Sequence, residues 1–250
     1  GEDGNYRAKP PQRLGLPDEV VVAVIGTANP VRWPRLSAHL QSVAAVGSPY
    51  LPRLLEAGDG TNSEGAVWVS RESWGPSSLA NTAASLNVAD RLRALSGAAR
   101  AAHDLHEAGL THGRISPRTV LVGPYKAGLE PPLNEPDAEP GLVVRARRAD
   151  ELDAVDPALL RGDPPSRSTD VWALGATIHR TFTGHLLHPG LGGDVPSTAV
   201  ARALFEAPQL DPALPAELRP LVEACLSPDP ADRPASALEV AEQLQAGGRA

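Results

Sequence analysis

Histidine is the first residue type to test for chemistry. His103 and His106 stand at i, i+3 and His112 follows, a spacing that could begin a zinc site, but no cysteine or acidic fourth ligand completes the set and no metal is assigned. The single Cys225 lies among Leu221, Val222 and Leu226 and reads as a buried thiol in a reducing compartment, without a catalytic role. Lysine is scarce, with Lys9 and Lys126 as the only two, so any chemistry that needs an ammonium group has few choices. Gly190-Leu191-Gly192-Gly193 reads as a loop before a helix rather than a phosphate cradle. Asp137, Glu139, Asp150, Glu151 and Asp153 form a loosely acidic stretch, read as solvated, with docking of a basic partner as the alternative.

These residues need elements to position them. Glu19 to Ile25 is a β-branched run suited to a buried strand, and Leu36, Leu40 and Val43 follow at helical spacing up to Gly47-Ser48-Pro49. Two further strands are expected near Arg53 to Ala57 and Ala66 to Ser70. After Trp74-Gly75-Pro76 the pattern turns helical. Asn87 with Asp90 predicts an N-cap and an acidic first turn, and Leu92, Leu95, Ala99, Ala102 and His106 share one face until Gly109. A short strand is expected from Thr119 to Val122, and Gly123 to Gly141, with five prolines, as an exposed loop. Val171, Leu174, Ile178 and Phe182 mark one more helix, and Leu238, Ala241 and Leu244 mark the last, starting just after Arg233-Pro234.

Composition narrows the function classes. Hydrophobic residues make up 42% and charged residues 21% of 250 residues, the balance of a globular chain with a core. A net charge of −7 with no basic run argues against nucleic acid as a partner. No apolar stretch approaches the roughly 18 residues of a membrane span, and no signal-peptide pattern opens the chain. The expected location is the cytoplasm, either as a free protein or as the intracellular domain of a longer membrane protein. The abundance of Ala, Arg, Pro and Gly suggests a bacterial source.

Leu105-His106-Glu107-Ala108-Gly109-Leu110-Thr111-His112-Gly113-Arg114-Ile115-Ser116-Pro117-Arg118-Thr119-Val120-Leu121-Val122 resembles the catalytic-loop region of bacterial serine/threonine protein kinases. Ser168 to Gly175 (STDVWALG) resembles that family's central helix, Asp229-Pro230-Ala231-Asp232-Arg233-Pro234 its penultimate helix and loop, and Val22-Ala23 the strand that ends in its ATP-binding lysine. The four matches run in order over nearly the whole chain. The resemblance implies an α+β, bilobal kinase-like fold: a small antiparallel-sheet lobe over residues 1–75, and a helical lobe over 76–250. The family's first strand would precede residue 1, and Gly1 to Ala8 would carry the tail of its glycine-rich loop into the second strand.

Kinase catalysis is positioning plus electrostatics, through a lysine on the phosphates, a glutamate holding it, an aspartate at the attacking hydroxyl, and metal held by Asn and Asp. By the resemblance, the lysine position falls on Ile25, or a neighbour if the register slips by one, and the glutamate position near His39. Both read as ordinary core and helix-surface packing. Arg114 stands at the base position, and an arginine cannot accept a proton at neutral pH. Ser116 and Thr119 occupy the downstream lysine and asparagine positions, and Pro132-Leu133-Asn134 the Asp-Phe-Gly positions, with Glu130, Glu135 and Asp137 the nearest acids. Ala158 replaces the glutamate of Ala-Pro-Glu, so Arg233 must find another partner or water. Gly113 replaces an arginine that reads phosphorylated loops, and the segment from Asn134 to Asp156 holds no Ser, Thr or Tyr. Ala23, His112, Asp170 and Arg233 match architectural positions, with Asp170 expected to bond backbone near His112.

Arg71 falls where the family has an apolar residue at the back of the nucleotide pocket. It reads as a solvated strand residue after a one-residue slip, with filling the pocket or gripping a partner's acid as the alternative. The expectation drawn from these positions is a pseudokinase, not an enzyme: no catalytic residue, no cofactor, no metal, and work done by binding protein partners as a scaffold or regulatory module. Nucleotide binding is not expected. Nucleotide binding without transfer and an atypical kinase recruiting Lys9 or Lys126 are the rival readings.

Overall fold

Valine-rich sequence places the centre of the sheet. A computed structural model of the chain describes residues 5–9, 19–27, 33–59, 66–75, 77–133, 149–191 and 196–247. Strands β1 (Asn5–Ala8), β2 (Val20–Thr27), β3 (Leu54–Gly58) and β4 (Ala66–Glu72) form an antiparallel sheet in the order β1-β2-β4-β3. Val21 and Ala23 of β2 and Val67 and Val69 of β4 turn to the buried face. Helix α1 (Trp33–Ala45) lies against that face through Leu36 and Leu40, as its apolar spacing predicts.

The larger part is helical. It comprises α2 (Leu79–Thr82), α3 (Val88–Glu107), α4 (Pro157–Arg161), α5 (Arg167–Thr183), α6 (Pro196–Phe205), α7 (Arg219–Cys225) and α8 (Ala237–Gly247), with a hairpin of β5 (Val120–Val122) and β6 (Ala127–Leu129). Helix α3 is the axis of the core. Asn87 caps it by accepting from the Asp90 N–H, and Leu95, Ala98, Ala99, Ala102 and Leu105 are wholly buried in a core where α3 packs against α5, α8 and the β5–β6 hairpin. Alanines let the neighbouring backbones come close, and Gly97 goes further, since a Cβ there would meet the Ala127 carbonyl oxygen at 2.4 Å.

Strand β6 corrects the expectation of an exposed loop from Gly123 to Gly141. Leu129 is wholly buried, and its N–H donates to the Tyr50 carbonyl at 3.0 Å. A Cβ on Gly128 would meet that same carbonyl oxygen at 1.9 Å, so only glycine lets the hairpin tuck under the chain after α1. Three residues, one of them Gly, carry no alternation to read. The last helix also starts at Ala237, three residues beyond Pro234, while α4, α6 and α7 go unnamed in the sequence reading.

Candidate functional site

Asp170 organises the turn at His112. It stands in the first turn of α5, which Ser166 caps by accepting from the Thr169 N–H, and it is 1% exposed. Its Oδ2 accepts from the His112 N–H at 2.8 Å and from His106 Nε2 at 2.9 Å, and its Oδ1 accepts from the Gly113 N–H at 2.8 Å. Gly113 sits at φ +69°, where other residues are strained, so the turn needs both the glycine and the carboxylate. A carboxylate this deep is tolerable because its lone pairs are satisfied.

His112 continues the network. Its Nε2 donates to the Glu130 carbonyl at 2.8 Å while its Nδ1 accepts from the Arg114 N–H at 3.2 Å, which fixes the neutral tautomer. Burial pushes its pKa below the ordinary value, opposed by the Asp170 charge. Ser116 and Thr119 close the loop internally. Thr119 Oγ1 accepts from the Ser116 N–H at 3.0 Å and lies 3.1 and 3.0 Å from the Arg114 and Ser116 carbonyls, to which it can donate.

Between sheet and hairpin lies a second constellation. Ile25 is the bulged residue where the β2 to β4 register shifts between Val24 and Gly26, and it packs with Leu36, Leu40, Val67 and Val69. His39 is 7% exposed and its Nε2 donates to the Pro132 carbonyl at 3.1 Å, with burial lowering its pKa against that bond. Two adjacent residues of β4 then reach the hairpin with opposite signs. Arg71 Nη2 meets Glu130 Oε1 at 2.7 Å, and Glu72 Oε1 meets Lys126 Nζ at 2.7 Å, with Lys126 also 5.3 Å from the Trp74 ring centre.

No protein-family model matches the chain. The crystal structure of the Mycobacterium tuberculosis PknI kinase domain aligns with 95% of this chain and 88% of its own at a TM-score of 0.70, with 18% identity. This is a kinase-like domain. Among curated proteins it is similar to serine/threonine-protein kinase PknK of Mycobacterium tuberculosis, 30% identical over 164 residues that make up 60% of this chain. It is similar also to AfsK of Streptomyces coelicolor, 32% identical over 144 residues, 55% of this chain and 17% of AfsK. The kinase-like domain spans 14% of the length of PknK. These relatives are bacterial, in line with the source that composition suggests.

The expectation that the kinase-like domain is not an enzyme is overturned by these relatives, which are named serine/threonine protein kinases. The cleft is also less bare than the sequence implied. Glu130, passed over as a mere neighbour of the Pro132 position, places a carboxylate at the lobe junction beside Arg71. No local pattern marked it, because the strand that ends at Leu129 carries no alternation and Arg71 is 59 residues away.

Arg71 is a correction of its own. It is 6% exposed, not solvated, because residues opposite it on β2 and β3 and the hairpin beneath enclose it. Its alternative reading was nearer, with the acid supplied by this chain. His39 likewise does more than pack on a helix surface, since it ties α1 to Pro132.

Ala158 contributes its N–H to Asp156 Oδ1 at 2.8 Å, the N-cap of α4. Arg233 finds the other oxygen of that carboxylate, with Nη1 2.5 Å from Asp156 Oδ2, and also donates to the Ser168 carbonyl at 3.0 Å and, through Nε, to the Ser227 carbonyl at 2.9 Å. Its guanidinium lies 5.0 Å from the Trp172 ring centre. Asp156, two residues before Ala158, thus supplies the acid that the Ala158 position lacks.

Arg114 is half-buried, and with Arg118 it faces Glu151, at 4.0 and 3.4 Å. Lys9 is exposed just past β1 and Lys126 serves the Glu72 pair. The three histidines do not converge, and among the described residues no group of three His, Cys, Asp or Glu side chains could hold a metal ion. Burial raises the Cys225 thiol to about 12, keeping it unreactive. Among the described residues no helix is long and apolar enough to cross a membrane. The readings on Gly1 to Gly4, Asn134, Glu135, Asp137, Glu139, Gly192 and Gly193 lie outside the described residues.

Proposed function

We propose that this kinase-like domain works in signalling as a regulatory module that docks a protein partner, with the two lobes held in one fixed arrangement. The observation that carries the reading is the double clamp at the lobe junction, Arg71 to Glu130 and Glu72 to Lys126. Two pairs of opposite sign, issuing from consecutive residues, set both the distance and the register between sheet and hairpin. His39 adds a third tie from α1. A surface that spans both lobes is then presented without a ligand having to close the cleft, which lowers the ordering cost of binding. A regulatory module of this kind can carry phosphotransferase activity of its own; docking is a separate property.

The experiment is crosslinking capture in the source organism, followed by reconstitution with the purified captured protein. The expected result is a stoichiometric complex on size exclusion. Capture of nothing beyond what an unrelated domain of equal charge retains would reject the reading.

A further inference from the structure

A groove of about 710 Å³ borders the lobe junction, mostly on the helical lobe, with Pro49 and Tyr50 from the chain after α1 also in its lining. One wall is a face of α3, where Leu92, Arg93, Ser96 and Arg100 recur at helical spacing. The opposite wall is the end of α8 at Leu244 and Gln245, and the rim is the turn between β5 and β6 with Tyr125 and Lys126.

Its charge is one-sided. Three cations, Arg93, Arg100 and Lys126, line the groove and no acid does, in a chain where 30 acidic residues outnumber 23 basic ones. Arg93 pairs with Asp90 at 3.0 Å and Lys126 with Glu72 at 2.7 Å, and both acids lie outside the lining, so the groove wall itself carries cations only. Arg100 Nη2 donates to Gln245 Oε1 at 3.3 Å, while its Nε is buried with no hydrogen-bond partner. Tyr125, 96% exposed, adds an aromatic ring at the rim, and the floor is apolar at Leu92 and Leu244. Aromatic and arginine side chains around an apolar floor are the residues that carry binding at protein interfaces.

Resting on the docking role, we propose that this groove is where the partner binds, and that it takes an acidic peptide segment with interspersed apolar side chains. Carboxylates meet the cationic rim and an apolar side chain rests in the groove over Leu92. The attraction is electrostatic at the rim, so it acts chiefly on association and fades as salt rises.

The test is fluorescence anisotropy with a fluorescein-labelled peptide of alternating glutamate and leucine, its lysine and leucine counterpart, and ATP as competitor. Saturable binding of the acidic peptide, its weakening with added salt, and no binding of the basic peptide are expected. Arg93→Glu, at an exposed position, should weaken binding about tenfold with the melting temperature unchanged. Arg100→Gln, at a groove position outside both clamps, is the second variant, and Arg202→Glu on α6 should leave affinity as it was. Equal affinity of wild type and both groove variants, or displacement by ATP, overturns the proposal. So does a captured partner that still binds the Arg93→Glu variant as tightly as wild type, an outcome that leaves the docking role itself standing.

Discussion

The turn at His112 and the lobe junction are built in opposite ways. Around Asp170 and Arg233 the charges are fully buried, at 1% and 6% exposure, and every carboxylate oxygen has a donor. At the junction His39 and Pro132 are buried and Ile25 is partly buried, and charge enters as the two clamps: Arg71 is buried but its acid stays 23% exposed, and Glu72, at 24%, meets a Lys126 that is 52% exposed. Buried charge with complete satisfaction fixes backbone; a pair with one partner in reach of water fixes the distance between two elements at a smaller cost of removal. The first arrangement specifies the fold of the loop, and the second sets how two lobes meet.

The comparison breaks first at its deepest charges. Asp170→Ala should destabilise the domain by about 3–5 kcal/mol, because two N–H groups and His106 lose their acceptor in the interior. Arg233→Ala should cost a similar amount, leaving Asp156 buried without its cation. Denaturant unfolding of both variants measures this, and a loss below about 1 kcal/mol would show that the networks are incidental.

Arg71→Ala should cost less, about 1–2 kcal/mol, since Glu130 can turn to water. A loss equal to that of Arg233→Ala would erase the distinction between the two regions.

Acid sharpens the contrast. Burial holds His39 and His112 below the ordinary value of 6.5, so the folded protein favours their neutral forms while the unfolded chain takes up protons near that pH. The stabilisation is present above the unfolded value and is lost as pH falls below it toward the folded values. Melting temperature should therefore drop on acidification below pH 6.5. His39→Gln, which retains a donor for the Pro132 carbonyl, should drop less steeply, and an unchanged slope would remove His39 from the account.

Smallest of all is Arg118→Ala, with a loss of about 0–1 kcal/mol because its pair with Glu151 is exposed to solvent and salt.

Much of the fold was legible because its elements carry period. The valines of β2, the Asn87 cap and the alanine face of α3 each combine a local signal with a pattern. Strand β6 had neither, being specified by a close backbone approach at Gly128 that no one-dimensional pattern encodes. The site was legible where one residue sits at a recognisable spacing, as with Asp170 and His112. It was illegible where a partner comes from a distant element. Glu130 for Arg71, Pro132 for His39 and Asp156 for Arg233 are separated from their partners by 59, 93 and 77 residues.

The most direct test is an affinity measurement by calorimetry, titrating the captured and purified partner into wild type and into a variant with both clamps removed, Arg71→Ala with Glu72→Gln. With the lobes set by the clamps, the double variant should bind at least about tenfold more weakly while remaining folded at the assay temperature. Equal affinity in a folded double variant would contradict the claim that a fixed lobe arrangement is what the partner recognises.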